Sequence, residues 1–200
     1  MRFVLSAAAA LTAVVAAFAS PAVARVDTPG PQCGGTLWKL MTLSDTAKKT
    51  VKWSAAPSTV PSINKLTAPA KITTARSNAF QKQVWSLSGV IIDRYRMASN
   101  GEIVLELFDI PSATYMNAYL PAAACLPSTA RGRAQMLAAR ESFTKGCPAP
   151  TNDWQPLGAT AQVAGVGFFN PVKTTLGAAK NGAELRPLVG LSITQGCGKF

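Results

Sequence analysis

The sequence contains no histidine, and this absence limits the chemistry that its 200 residues can perform. A Ser-His-Asp triad, a Cys-His pair and an imidazole general base are excluded, because each of them requires histidine. Carboxylates, lysine, tyrosine and serine are the groups that remain for catalysis. Acidic residues are also scarce, with 9 against 20 basic residues. The resulting net charge of +11 favours contact with anionic surfaces, although solubility alone would explain it equally well.

The cysteines lack the close pairing that is typical of zinc sites. Cys33, Cys125, Cys147 and Cys197 form no Cys-x-x-Cys pair, and no histidine accompanies them. We therefore predict no metal and no cofactor, and instead two disulfides, which are typical of exported proteins. Four cysteines can pair in three ways. We prefer Cys33–Cys125 with Cys147–Cys197, because the second bridge would tie the last residues to the end of a predicted helix.

Long hydrophobic runs are absent except at the N-terminus. Arg2 precedes an apolar stretch over residues 3–19, and Ala22-Val23-Ala24 has the small-x-small form that signal peptidases cut. The run is short for a membrane anchor and lacks a stop-transfer flank. We therefore predict a signal peptide over residues 1–24, cleaved near Ala24. The mature protein would be secreted or periplasmic, with a net charge of +10 after the loss of Arg2.

The mature chain divides into a region with little periodicity and a region of strands. Residues 25–80 are rich in Pro, Thr, Ser and Ala, and we predict an extended N-terminal arm there. From residue 82 the alternation predicts a strand with one face formed by Trp85, Leu87, Gly89 and Ile91. Gly89 within this strand indicates a bend or a bulge.

A hairpin follows at Asn100-Gly101, a pair that is typical of tight turns. In the second strand, Ile103, Leu105 and Leu107 are predicted to face inward. The residues predicted to face outward are Glu102, Val104, Glu106 and Phe108. The third strand is "TYMNAYL".

A helix is predicted over "ARGRAQMLAARESFTK", with Ser128 or Thr129 as its cap and Gly146 at its C-terminal end. Its apolar stripe is Met136, Ala139 and Phe143. Two strand-like runs follow it, "TAQVAGVGFFN" and "AELRPLVGLSIT". The order β-β-β-α-β-β predicts a mainly β domain over residues 81–200, an OB-fold-like five-stranded barrel. A general α+β sheet is the alternative.

Seven segments of the mature chain carry a resemblance to a known family. They are "CGGTLW", "QVWSLSG", "GEIVLELFD", "CLPSTARGRAQMLAARESFTKGC", "LGATAQVAGVGFF", "NGAELRP" and "QGC". With these the chain resembles a family of exported bacterial proteins of unassigned function. The resemblance implies a compact β protein with disulfides and supplies no catalytic residue. Relatives often carry histidines where this chain has Val104, Lys173 and Arg186, and the two cationic replacements would suit anion binding.

The stretch "DRYRMASNGEIVLELFD", residues 93–109, holds the candidate catalytic groups. Its carboxylates are Asp93, Glu102, Glu106 and Asp109, which could serve a nuclease-like or hydrolase site. Alternation places Glu102 and Glu106 on one face and Asp109 on the other. The pattern therefore favours a solvated rim with cross-strand pairs to Arg94 or Arg96 over a catalytic site.

Cationic and aromatic residues of the strands are the candidate ligand-binding groups. They are Arg94, Arg96, Tyr115, Tyr119, Lys173 and Arg186. On the helix, Arg131, Arg133 and Arg140 could form a patch for an anionic polymer or simply a solvated face.

From these residues we predict an exported, non-enzymatic binding or structural protein whose ligand is an anionic polymer or an envelope component. Nucleic acid is not favoured as the ligand, because glutamates on the same face would repel phosphates. A hydrolase or nuclease-like enzyme is one alternative. A protein–protein interaction module with an unknown partner is the other.

Overall fold

The computed structural model describes residues 32–197, so the predicted signal peptide lies outside the described residues. The strands are Lys52–Pro57 (β1), Gln83–Met97 (β2), Ile103–Asp109 (β3), Thr114–Leu120 (β4), Gln155–Phe169 (β5) and Ala183–Gln195 (β6). The α-helices are Trp38–Met41 (α1), Val60–Asn64 (α2) and Arg133–Gly146 (α3). Single 3-10 turns occur at Lys48–Thr50, Phe80–Lys82 and Ala123–Cys125.

Five of the six strands pair in a ring. Strand β2 pairs with β3, β3 with β4, β4 with β6, β6 with β5, and β5 again with β2. All of these pairings are antiparallel except that of β4 with β6. The prediction of a mainly β protein with one long helix is confirmed, and α3 lies between β4 and β5 as expected. The remaining strand, β1, lies outside the ring and pairs in parallel with β2, and the sequence does not predict it.

Strand β2 contains the predicted irregularity at Gly89. This glycine has a φ of +70°, and the register between β2 and β5 shifts between Leu87 and Val90. The shift changes which side chains face the core, so that Val90 and Ile92 follow Leu87 into the interior. The prediction that Ile91 shares the buried face of Leu87 is therefore wrong, because the bulge inserts one residue into the alternation.

The interior of the ring is apolar. Its β3 and β4 positions are filled by Ile103, Leu105, Leu107, Met116, Ala118 and Leu120, all fully buried. Helix α3 packs its predicted stripe of Met136, Ala139 and Phe143 against this interior and a neighbouring cluster. The expected cap at Ser128 or Thr129 is wrong, because the helix begins after Gly132, whose left-handed conformation (φ +72°) sets the turn.

The segment predicted to be an extended arm contributes structure of its own. It holds β1, α1 and α2, and Val60 and Ile63 of α2 belong to the main hydrophobic core. Arg76 and Asp45 form a buried ion pair at 2.8 Å within this segment. Because side chains from the segment complete the core, it folds with the ring as one compact unit.

Two disulfides cross-link the protein, Cys33–Cys125 and Cys147–Cys197. The preferred pairing of the four cysteines is therefore confirmed. The first bridge ties the start of the described chain to the turn before α3. The second ties the end of α3 to the residues after β6, so both ends of the described chain are anchored.

Candidate functional site

The outer face of β3 is not a solvated rim. Glu102, Val104 and Glu106, which alternation predicted to face outward, are 0, 1 and 3 % exposed. Residues 170–182, between β5 and β6, pack against this face. The Asn117 side-chain amide donates to the carbonyl of Leu176 at 3.0 Å, and Gly177 lies so close that a Cβ there would be 2.5 Å from Glu106 Cγ. The predicted rim is wrong because this loop covers Glu106, and because Glu102 is engaged by the buried side chain of Arg186.

A buried ion pair occupies one end of this covered face. The Arg186 guanidinium donates from Nε to Glu102 Oε1 at 3.1 Å and from Nη2 to Glu102 Oε2. Asn100, in the hairpin turn, donates to the same carboxylate at 2.6 Å. The guanidinium also lies 4.1 Å from the Tyr119 ring centroid. Two predicted ligand-binding residues, Tyr119 and Arg186, are therefore brought together, but as internal partners rather than as an exposed site.

Glu184 is the second carboxylate of this cluster and is 1 % exposed. Its Oε1 accepts from the Asn170 amide at 2.9 Å and from the Tyr119 hydroxyl at 3.2 Å. Burial raises the pKa of Glu184 to about 7, although Arg186, with Nη1 at 3.8 Å, opposes the shift. Burial and the neighbouring Glu184 carboxylate also raise the pKa of Tyr119.

The four candidate catalytic carboxylates do not converge. Glu102 is engaged by Arg186, whereas Glu106 lies near Asp93, and both of these carboxylates are within 4 Å of Arg94. Asp109 accepts from the backbone amide and the hydroxyl of Ser112 and so holds the turn after β3. Within residues 32–197 no group of three or more acidic or cysteine side chains is placed to hold a metal ion.

Arg94 is exposed, and its guanidinium lies within 4 Å of two carboxylates. Its Nε lies 3.8 Å from Asp93 Oδ2 and 3.9 Å from Glu106 Oε2. Burial, followed by the Asp93 charge, raises the pKa of Glu106, while Arg94 lowers it. The predicted cross-strand pair is therefore present between Arg94 and Glu106, although the Arg94 side chain remains half exposed.

Tyr115 is the exposed aromatic residue among the candidates. Its ring stacks on Phe108 with centroids 4.6 Å apart, at the end of the β3–β4 hairpin. It also borders a cavity of about 440 Å³ to which Asn64 and Lys180 contribute. This end of the ring therefore offers an aromatic wall and the cation of Lys180, and of the other predicted ligand residues Arg94 interacts electrostatically with Tyr115.

Arg96 and Lys173 complete the predicted set. The guanidinium of Arg96 lies 5.2 Å from the Trp154 ring centroid, and the residue is half-buried. Lys173 is exposed in the loop between β5 and β6. The six predicted ligand residues are therefore distributed over several parts of the surface and interior, and the structure does not assemble them into one site.

Burial separates the charges of this protein by sign. Among the described residues, four acidic side chains are buried: Asp45, Glu102, Glu106 and Glu184. Only two basic side chains, Arg76 and Arg186, are buried with them. All the other described cations are exposed or half-buried, so the surface is more basic than the composition alone indicates.

A group of exposed and half-buried cations, here called the basic surface, lies where the turn before β1 meets the start of α3. Its members are Lys48, Lys49, Lys52, Lys82, Arg131 and Arg133. Arg131 joins the two segments through hydrogen bonds to the carbonyls of Lys48 (2.8 Å), Lys49 (3.1 Å) and Val51 (2.7 Å). The sequence indicates Arg131 and Arg133 as a possible patch, whereas Lys48, Lys49 and Lys52 lie in a segment with little periodicity and Lys82 at the start of a predicted strand.

No family model matches the chain, and no curated protein matches its sequence. In the part of the chain that the structure describes, no helix is long and apolar enough to cross a membrane. The described structure provides buried, internally paired carboxylates and an exposed group of cations.

Proposed function

We propose that this is an exported, disulfide-stabilised, non-enzymatic protein that binds an anionic polymer of the cell envelope. The observation that carries the proposal is the separation of charges by burial. Because half of the described acidic side chains are withdrawn into the interior, a polyanion that approaches the surface meets mostly lysine and arginine. Coulomb attraction to such a surface is long-ranged at low salt and is screened as salt increases.

The two disulfides and the predicted signal peptide support export. Disulfides persist in oxidising compartments outside the cytoplasm, and the bridges anchor both ends of the described chain. Cleavage near Ala24 and membership of the exported bacterial family that the chain resembles are parts of the same proposal. Mass spectrometry of protein recovered from the extracytoplasmic fraction, with its N-terminus at Arg25, would support the export part.

We extend the proposal to the fold, as an OB-fold-like barrel. Five strands pair in a ring, and the long helix lies between the third and fourth of them in chain order. These features match the five-stranded, partly open barrel of that fold class, which frequently binds polymers. In this protein, however, the face of the second and third ring strands is covered by residues 170–182. The proposed polymer contact therefore lies elsewhere on the surface.

The structural contacts of the candidate carboxylates support a role in binding rather than in catalysis. Glu102 is engaged by a guanidinium, and Asp109 holds a turn. A nuclease-like site would need such groups to converge on a cation and a phosphate. The Glu102→Gln and Glu106→Gln variants are therefore expected to leave polymer binding unchanged when folded.

Fluorescence anisotropy of the oxidised protein with fluorescein-labelled dextran sulfate tests the proposed function. We expect binding at low salt that weakens steeply as salt rises, because bound cations release counterions from the polymer. Uncharged dextran of the same length is the control and should not bind. Absence of binding to dextran sulfate at low salt would refute the proposal and direct the search to protein partners.

A further inference from the structure

We infer that the basic surface, formed by Lys48, Lys49, Lys52, Lys82, Arg131 and Arg133, is where the protein contacts an anionic polysaccharide. This inference rests on the proposed function and deepens it, because it names the contact surface and the class of polymer. The residues of this surface differ from the ligand-binding residues that the sequence predicted. Of those, Tyr119 and Arg186 are buried, and Arg94 is paired with carboxylates.

The surface is preorganised by Arg131. Its guanidinium donates to three backbone carbonyls of residues 48–51 and lies 4.9 Å from the Trp53 ring centroid. Lys48 returns a hydrogen bond from its ammonium to the carbonyl of Thr129. These contacts fix the lysine-bearing turn against the start of α3. Its cations are therefore held together before a polymer arrives, which lowers the ordering cost of binding.

No counter-charge neutralises this surface. Within the described residues, none of its six cations forms a salt bridge, and the first turn of α3 contains no acidic residue. The nearest acidic residue along the chain, Asp45, is buried and bound to Arg76. Elsewhere the exposed cations Arg94 and Lys145 have carboxylate partners, whereas Lys65, Lys71 and Lys173 form no salt bridge within the described residues either. The basic surface differs from those lysines because hydrogen bonds from Arg131 and Lys48 join its two segments.

The aromatic residue of the surface favours a polysaccharide over a nucleic acid. Arg131 lies over the Trp53 ring, and the ring is packed so closely on Gly132 that a Cβ there would approach it to 2.1 Å. Trp53 also packs against a buried cluster. Single-stranded nucleic acids usually need open aromatic faces on which bases stack. This ring is already engaged, so the surface is built to recognise regularly spaced carboxylate or sulfate groups by charge.

A pair of charge-matched triple variants tests the inference. The first is Lys49→Gln/Lys52→Gln/Arg133→Gln, which removes three exposed cations of the basic surface but leaves Arg131 in place. The control is Lys65→Gln/Lys71→Gln/Lys173→Gln, which removes three exposed cations outside it. Both variants lose the same net charge. Circular dichroism and urea unfolding establish that both remain folded.

We expect the first variant to bind labelled dextran sulfate at least about 10-fold more weakly at low salt, with a slope of log K against log[salt] reduced by about 2. The control should change affinity by less than about 3-fold, through net charge alone. Equal loss in both variants would overturn the inference while leaving polyanion binding intact. No binding by the unmodified protein would overturn the proposed function and the inference together.

Two further measurements sharpen the result. Bound dextran sulfate should protect Lys49 and Lys52 from acetylation but leave Lys65 and Lys71 reactive, and the reverse pattern would contradict the assignment. Labelled oligothymidylate is the comparison ligand. Tighter binding to it than to dextran sulfate of similar charge and length would overturn the polysaccharide assignment in favour of single-stranded nucleic acid.

Discussion

Replacing Glu184 by glutamine should make the protein more stable at neutral pH and remove part of its pH dependence. Glu184 is 1 % exposed, and its Oε2 has no hydrogen-bond partner among the described residues. Burial raises its pKa from 4.5 to about 7. Between these two values the folded protein holds a proton that the unfolded chain has released.

The sign and size of the effect follow from proton linkage. The folded protein binds more protons than the unfolded chain between these pKa values, so the free energy of unfolding falls as pH rises. The stabilisation from Glu184 is fully present below pH 4.5 and is lost as pH rises through 7. The slope approaches about 1.4 kcal/mol per pH unit, and the total over the window is about 3 kcal/mol. Glutamine resembles the protonated acid and does not titrate. The variant should therefore exceed the parent by about 1 kcal/mol or less near pH 5 and by about 3 kcal/mol above pH 7.5.

Urea unfolding followed by tryptophan fluorescence between pH 5 and 8 measures this difference. Glu106 has a raised pKa as well, and it adds a slope of the same sign to both proteins. The difference between parent and variant therefore isolates Glu184. Glu141→Gln, at an exposed position, is the control and should run parallel to the parent. Parallel curves for Glu184→Gln and the parent would refute the reasoning, since they would mean that Glu184 is ionised in the folded protein.

Three further perturbations test the interior and the cross-links. Glu102→Gln should lower the free energy of unfolding by about 3 kcal/mol or more in urea at pH 7, because it leaves the charge of Arg186 buried without its bidentate partner; a loss below about 1 kcal/mol would contradict the buried pair. Gly177→Ala should cost about 2 kcal/mol in thermal unfolding, because φ is +73° and the added Cβ meets a side chain at 2.5 Å. Cys147→Ala/Cys197→Ala should cost about 4 kcal/mol in urea, since the bridge closes a separation of 50 residues. An unchanged midpoint would show that the bridge does not form.

Local sequence patterns predicted those elements whose conformation depends only on neighbouring residues. The Asn100-Gly101 turn, the irregularity at Gly89 and the stripe of Met136, Ala139 and Phe143 are all present. Each follows from backbone freedom or from side-chain period, which need no distant partner. The face of β2 beyond Gly89 was mispredicted, because an inserted residue reverses the alternation and the sequence does not show where the pairing resumes.

Long-range packing decided the features that the sequence did not predict. Strand β1 lies in a segment without alternation, and it is a strand because β2 offers it an edge. The basic surface combines a turn before β1 with the start of α3, about 80 residues later in the chain, through the hydrogen bonds of Arg131. No local pattern indicates that these two segments meet.

The sequence by itself determined that histidine chemistry is excluded, that the protein is basic, that strands dominate and that the cysteines suit disulfides. These properties follow from composition and short-range periodicity. Only the tertiary structure decided which charged side chains are buried and which are exposed. Alternation divides β3 into two faces, but it does not tell which element covers the second face. Because residues 170–182 cover Glu106 and Arg186 engages Glu102, both carboxylates are interior groups, whereas the cations of the basic surface remain in contact with solvent.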